Sequence, residues 1–395
     1  MARVGTATLL SALCGYAVLY LAARDLDPAG FAVFGVFWGA FGLVNGAANG
    51  LLQETTREVR DAGPAPAGTP HTRPLQVAGL TGLAAAAVVA VSSPLWSGHV
   101  FVEARWLSVG LLCFGLANFA MHATLLGTLA GTNRWTQYGA LMVADAGTRV
   151  AVATATFVIG WGLAGFLWAT VAGAMAWLLL LTASPAARSA ARLPTAVSTA
   201  RFLRGAAHSI TAAGASAILV MGFPVLLQAT YGELGAAGGV LILAVTATRA
   251  PLLVPLTAMQ GNLIAHFVDQ RGRRLRALSI PAAGVGALGA VGAVAAGLLG
   301  PWLLRTVFGP DYHTDGLLLA ELTVAATAIA LLTLTGAAAV AAALHRAYAL
   351  GWVGATVAST ALLLLPLELS TRAVVALLCG PLVGIAVHLA ALRTD

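Results

Sequence analysis

The chain contains no lysine and little charge of any kind. All 21 basic residues are arginine, and charged residues make up 9% of 395. A water-soluble globular chain of this length needs more charge than that to keep its surface wetted. With a hydrophobic fraction of 59% and a mean hydropathy of +0.89, its main solvent must be lipid. The missing lysine, beside abundant Ala and Gly, reflects genome composition rather than function. Cysteine is scarce too: Cys14, Cys113 and Cys379 lie in separate apolar segments without metal-ligand spacing, which argues against a disulfide or a zinc site. There is no Walker-type phosphate loop, paired carboxylate or nucleophile constellation, so no catalytic residue, cofactor or metal is assigned and the chain is read as no enzyme. The net charge of +7 has no exposed basic domain behind it, which argues against nucleic acid.

What is present is a series of apolar runs. A helix needs about 20 residues to cross a hydrocarbon core, so 395 residues with short loops allow about twelve crossings. The runs lie near 4–23, 31–52, 75–96, 106–130, 138–160 and 162–183, then near 206–230, 237–258, 279–300, 317–343, 349–368 and 371–392. The first run ends in Arg24-Asp25 without a cleavage pattern, so it reads as a transmembrane helix rather than a signal peptide. The expected fold is all-α and polytopic, with about twelve transmembrane helices in two six-helix bundles. Residues 1–190 form the first bundle, 191–205 a cytoplasmic connector and 206–395 the second bundle. Leu26–Gly30 and Leu234–Gly238 enter corresponding helices of the two halves with similar sequences, a faint internal repeat.

With the N-terminus in the cytoplasm, the inner loops collect fifteen arginines and the outer loops four: Arg24, Arg105, Arg305 and Arg372. That asymmetry places both termini inside, in the cytoplasmic (inner) membrane of a bacterium. Asp25, Asp27, Glu103, Glu233, Asp311, Asp315 and Glu368 fall on the outer side, and Trp96, Trp106, Trp161 and Trp302 mark outer boundaries. Gln53–Pro74 reads as a flexible cytoplasmic loop and Ser184–Gly205 as an Arg-rich interfacial connector. The Arg271, Arg273, Arg274 and Arg276 cluster reads as a topology anchor.

The polar residues inside the spans are few. Asn45, Asn49 and Gln53 recur every four residues on one stripe, which Arg57 continues; the stripe can line a cavity or hydrogen-bond between packed helices. Arg249 precedes Pro251 and Pro255, and a guanidinium at that depth costs about 2.5–3.5 kcal/mol unless it faces protein or water. Its fork suits a diphosphate, and substrate contact is preferred to an ion pair. Asp145 and Arg149, four apart, form either a structural salt bridge, the preferred reading, or an ion-coupling pair in which a proton or sodium ion on Asp145 frees Arg149 for substrate. Gln260 and Asn262 lie toward the cytoplasm from Arg249, where an entering substrate passes. Asn118, His122, His208, Gln228 and His388 read as packing residues.

Three segments, Leu21–Val59, Leu243–Phe267 and Val307–Leu322, resemble the polysaccharide-precursor flippases of the multidrug/oligosaccharidyl-lipid/polysaccharide exporter superfamily, in the right order and at the right helices. The resemblance implies bundles enclosing a central cavity that opens alternately to each side. It implies movement of a polyprenyl-pyrophosphate-linked oligosaccharide, or a related polysaccharide precursor, to the outer leaflet by a monomer. The partners are then that lipid-linked glycan, membrane lipids and H+ or Na+ as coupling ion. Arg249, Arg149, Asn45, Asn49, Gln53, Arg57 and Gln260 are the candidate substrate residues and Asp145 the ion-coupling one. The alternatives are a drug or cation antiporter of the same superfamily, for which Asp145 is the sole clear acidic candidate, a polytopic glycan-pathway enzyme, and an inactive membrane scaffold.

Overall fold

The computed structural model describes residues 2–61, 71–270 and 274–394. The helices are α1 (Ala2–Asp25), α2 (Pro28–Asp61), α3 (Pro74–Val100), α4 (Arg105–Gly131), α5 (Trp135–Ile159), α6 (Gly162–Ala172), α7 (Ala176–Ala183), α8 (Pro185–Ala191), α9 (Thr199–Val220), α10 (Phe223–Tyr231), α11 (Gly235–Asp269), α12 (Arg274–Phe308), α13 (Gly316–Ala341), α14 (His345–Leu363) and α15 (Leu369–Thr394). A single 3-10 turn joins α6 to α7, and the two form one crossing. Among the described residues ten helical segments are long and apolar enough to span a bilayer, and the bent pair α9–α10 supplies an eleventh. α14, 19 residues long, measures about 28 Å at 1.5 Å per residue but is not among the segments that meet both conditions. The chain is a multi-pass all-α membrane protein.

The residues cluster into two compact units. One comprises residues 1–26 and 36–217, the other 27–35 and 218–395. In the first, α4 and the α6–α7 crossing are the most enclosed. α4 packs along α3 and α6, while α1 lies along α5. Leu125, Leu129 and Leu141 are completely buried there against Ala176, Ala187 and Ala190, so the short α8 is part of the core and not a surface strap. In the second unit α13 is central, flanked by α11, α12 and α15, with α14 against α15. The outward faces stay apolar: Leu80, Val91 and Leu95 on α3, and Ile280, Val291 and Leu298 on α12, are exposed. In water this would be a defect, whereas in lipid it is the expected surface.

Three sequence-based expectations change. The proposed loop Gln53–Pro74 is helical up to Asp61, because the polar run Glu54–Asp61 continues α2, with Arg57 pairing Glu54 one turn earlier and the adjacent Glu58, instead of breaking it. Residues 62–70 lie outside the described residues. Next, Thr72 is anchored, its backbone paired in both directions with Thr195 (N···O 3.1 and 2.7 Å) and its hydroxyl donating to Val197 O at 2.7 Å. The third change is the span expected at 206–230, which is broken between Val220 and Phe223 with a bend of 64°. Pro224 has no N–H to return to the carbonyl four residues earlier, and Gly222 precedes it, so the helix cannot continue straight.

Candidate functional site

The C-terminal part of α2 carries two adjacent stripes. On the first, Asn45 is half-buried, with its Oδ1 enclosed and lacking a hydrogen-bond partner among the described residues, while Asn49, Gln53 and Arg57 are exposed. On the second, Glu54 and Glu58 are buried, at 2% and 6% exposure. Arg57 joins them: its Nη2 donates to Glu54 Oε1 at 2.7 Å and to Glu58 Oε1 at 3.0 Å. Reading the sequence missed both glutamates as site residues because it ended the span at Leu52. The signal was there in Glu54-Thr-Thr-Arg57-Glu58, whose spacing is that of a helical ion-pair run.

The glutamates are placed by how α2 meets α9. Gly46 approaches Ala217, Gly50 meets the backbone of Ile210, and the Glu54 carboxylate fills the space left beside Gly205. A contact every four residues on α2 is matched by a partner progressively earlier on α9, the pattern of two antiparallel helices in close contact through small residues. Ser209 donates to Glu54, and Arg201 adds a second positive charge nearby. A cavity of about 410 Å³ opens here, lined by Arg57, Glu58, Asp61, Ala196, Val197 and Arg201.

Asp145 and Arg149 form the pair that their spacing predicts. Arg149 Nη2 and Nε donate to Asp145 Oδ1 at 3.0 and 3.2 Å, both side chains are largely buried, and the guanidinium lies over the Phe41 ring at 5.3 Å. Substrate binding by Arg149 would require this pair to open. Removing one partner strands the other charge, at a cost of about 3 kcal/mol. Asp145→Asn should therefore lower the thermal unfolding midpoint clearly, and the double variant Asp145→Leu/Arg149→Leu should recover most of the loss. Additive losses would show that the pair carries no coupling.

Arg249 is 7% exposed. Its Nη1 donates to Val220 O at 3.0 Å and its plane covers Phe223 at 5.3 Å from the ring centre. Val220 O is the carbonyl four residues before Pro224, the acceptor that the missing proline N–H leaves open. The arginine of α11 therefore caps the broken end of α9. Gln260 is on α11, but its side chain, like that of Asn262, lies outside the described residues, as do Arg271 and Arg273.

Five other polar residues of the spans have local contacts, although His122 Nδ1 is buried without a hydrogen-bond partner among the described residues. His122 stacks on Phe119, Asn118 donates to Phe114 O, Gln228 donates to Gly232 O, and His208 pairs with Arg204 O. His388 bonds Thr335 at 3.0 Å and stacks on Tyr348. Among the described residues no group of three or more His, Cys, Asp or Glu side chains is arranged to hold a metal.

No family model matches the chain. Its full length aligns with an uncharacterized protein of Mycobacterium bovis, 73% identical over 398 residues and covering 92% of that protein. An uncharacterized protein of Mycobacterium tuberculosis is 70% identical over 393 residues, covering 99% of this chain and 91% of the other. Among solved structures, the inward-facing conformation of a multidrug resistance MATE family transporter of the MOP superfamily superposes with a TM-score of 0.74 over 97% of this chain and 95% of that one, at 14% identity. A MOP superfamily transporter from Pyrococcus furiosus, described as having reversed binding-pocket polarity, superposes at 0.63 over 100% and 95%, also at 14% identity. With end-to-end similarity at this level, the chain belongs to the same family as these mycobacterial proteins and carries the fold of the MATE transporters.

Proposed function

We propose that this protein is an alternating-access transporter that moves a polyprenyl-pyrophosphate-linked oligosaccharide, or a related polysaccharide precursor, from the cytoplasmic to the outer leaflet of a bacterial inner membrane, with both termini in the cytoplasm. The observation that carries this reading is Arg249. A guanidinium buried at membrane depth, beside a helix break and over an aromatic ring, is the group expected where a phosphate headgroup must leave water. Breaks of this kind are where transporter folds place substrate sites. The exposed Asn49, Gln53 and Arg57 supply hydrogen-bonding groups for sugar hydroxyls at the cytoplasmic end, and the arginine asymmetry of the loops supports the orientation. Asp145 stays the candidate ion-coupling residue, since protonation would weaken its hold on Arg149.

A second reading, export of a cationic drug, is favoured by the buried carboxylates Glu54 and Glu58. The same fold serves both classes, so substrate chemistry has to be measured. In proteoliposomes, the full chain should move a fluorescent lipid-linked oligosaccharide to the opposite leaflet well above the protein-free rate and leave a cationic dye gradient unchanged. Dye movement without oligosaccharide movement would replace the first reading with the second.

A further inference from the structure

The unit formed by residues 27–35 and 218–395 has a second polar place, at the end where α2, α11, α13 and α15 begin. A cavity of about 480 Å³ opens there, within the size range of small-ligand sites, roughly 300–1,000 Å³. Its lining combines the polar Asp311, His313, Thr314, Glu368 and Ser370 with an apolar part that includes Pro28, Val240 and Leu241. Among the described residues those five polar side chains make no hydrogen bond or ion pair with the protein.

The loop that presents them is held from below. Gly309, at φ 127°, turns the chain out of α12, and Tyr312 N–H donates to Gly309 O at 3.2 Å. The Tyr312 ring is buried, edge-on to Phe31 at 5.8 Å and against Phe308 at 6.5 Å. Burial, reinforced by Asp27 and Asp311, pushes its phenol well above the usual tyrosine range, so the anchor stays neutral. Asp311 and His313, on either side of this fixed residue, are exposed.

We propose that this cavity is a binding site for neutral sugar residues, a glycan subsite at the end of the unit that the arginine distribution places outside. Two carboxylates accept hydrogen bonds from sugar hydroxyls, the His313, Thr314 and Ser370 groups both donate and accept, and the apolar part of the lining takes the C–H face of a pyranose. Four helix N-termini bring partial positive charge that offsets Asp311 and Glu368, which favours a neutral polyol over an amine. The inference rests on the glycan-transport reading and says where the sugar is held after translocation.

The test uses the full chain in detergent micelles and saturation-transfer NMR with soluble, lipid-free trisaccharides of glucose, galactose, mannose and arabinose, and with tetraethylammonium as a cationic probe. At least one trisaccharide should receive saturation. The double variant Asp311→Asn/Glu368→Gln, checked for unchanged size-exclusion behaviour, should weaken that binding about tenfold or more, as expected for losing charged acceptors. Gly147→Ala, on α5 and away from the cavity lining, should leave it unchanged. Binding of tetraethylammonium alone, absence of binding by every sugar, or binding indifferent to the double variant would each overturn the site. Oligosaccharide flipping in proteoliposomes with no soluble-sugar binding would reject this site and leave the transport reading standing. Sugar binding at the site with no flipping would do the reverse.

Discussion

Arg249→Ala should abolish flipping of a lipid-linked oligosaccharide while leaving the protein folded. The side chain is the one arginine among the described residues that is buried at membrane depth within α11, and a pyrophosphate is the anion its fork fits. Truncating one partner of a buried, hydrogen-bonded charge pair costs about 2–5 kcal/mol, a loss of roughly thirtyfold to several thousandfold in binding. The same change frees Val220 O at the end of α9, and a neutral hydrogen bond contributes about 1 kcal/mol, so the melting point should fall by only a few degrees. Arg249→Lys separates charge from geometry: it keeps the positive charge without the two-pronged donor and should retain partial transport. Proteoliposome flipping rates measured beside thermal unfolding decide the matter. Normal flipping by Arg249→Ala would remove Arg249 from the substrate path, and loss of folding in both variants would assign it to capping α9.

Gly50→Leu should prevent folding or nearly so. A Cβ at this position would meet the backbone nitrogen and Cα of Ile210, and backbone has no rotamer to yield. The whole of α9 would have to move off α2, separating Gly46 from Ala217 and lifting the Glu54 carboxylate away from Gly205. Overpacking costs about 1–3 kcal/mol where side chains can shift. Here the obstacle is main chain, and the Ser209 hydrogen bond to the buried Glu54 carboxylate is lost along with the helix contact, so the loss should exceed that range. Gly147→Ala on α5 is the matched control. Nothing lies within 4 Å of its would-be Cβ, and Ala favours a helix over Gly by about 1 kcal/mol, so that variant should be unchanged or slightly more stable. Yield of monodisperse protein and its unfolding midpoint report both. Equal behaviour of the two variants would refute the close approach of α2 and α9.

Much of the architecture is readable in one dimension because a lipid solvent imposes a one-dimensional rule: an apolar run long enough to cross must be a helix. The spans, their number and the Asp145–Arg149 pair follow from run length and i, i+4 spacing. The rule weakens where polar residues remain helical. Glu54 and Glu58 looked like the start of a loop, and only tertiary structure shows that they are buried, since a charge inside a helix packing face cannot be told from a solvated one by sequence. The break at Val220–Phe223 had its cause in view at Pro224, but the apolar run continued through it and masked the bend.

Composition and periodicity therefore determined by themselves that this is a multi-pass helical membrane protein, and they picked out Arg249 as a costly residue in need of a reason. They could do so because burial in lipid is paid residue by residue along the chain. The partners of those residues were decided by tertiary structure alone. Val220 O meets Arg249 across 29 positions, and Gly205 makes room for Glu54 across 151. Such pairings depend on where helices distant in sequence come together, information that no local pattern carries.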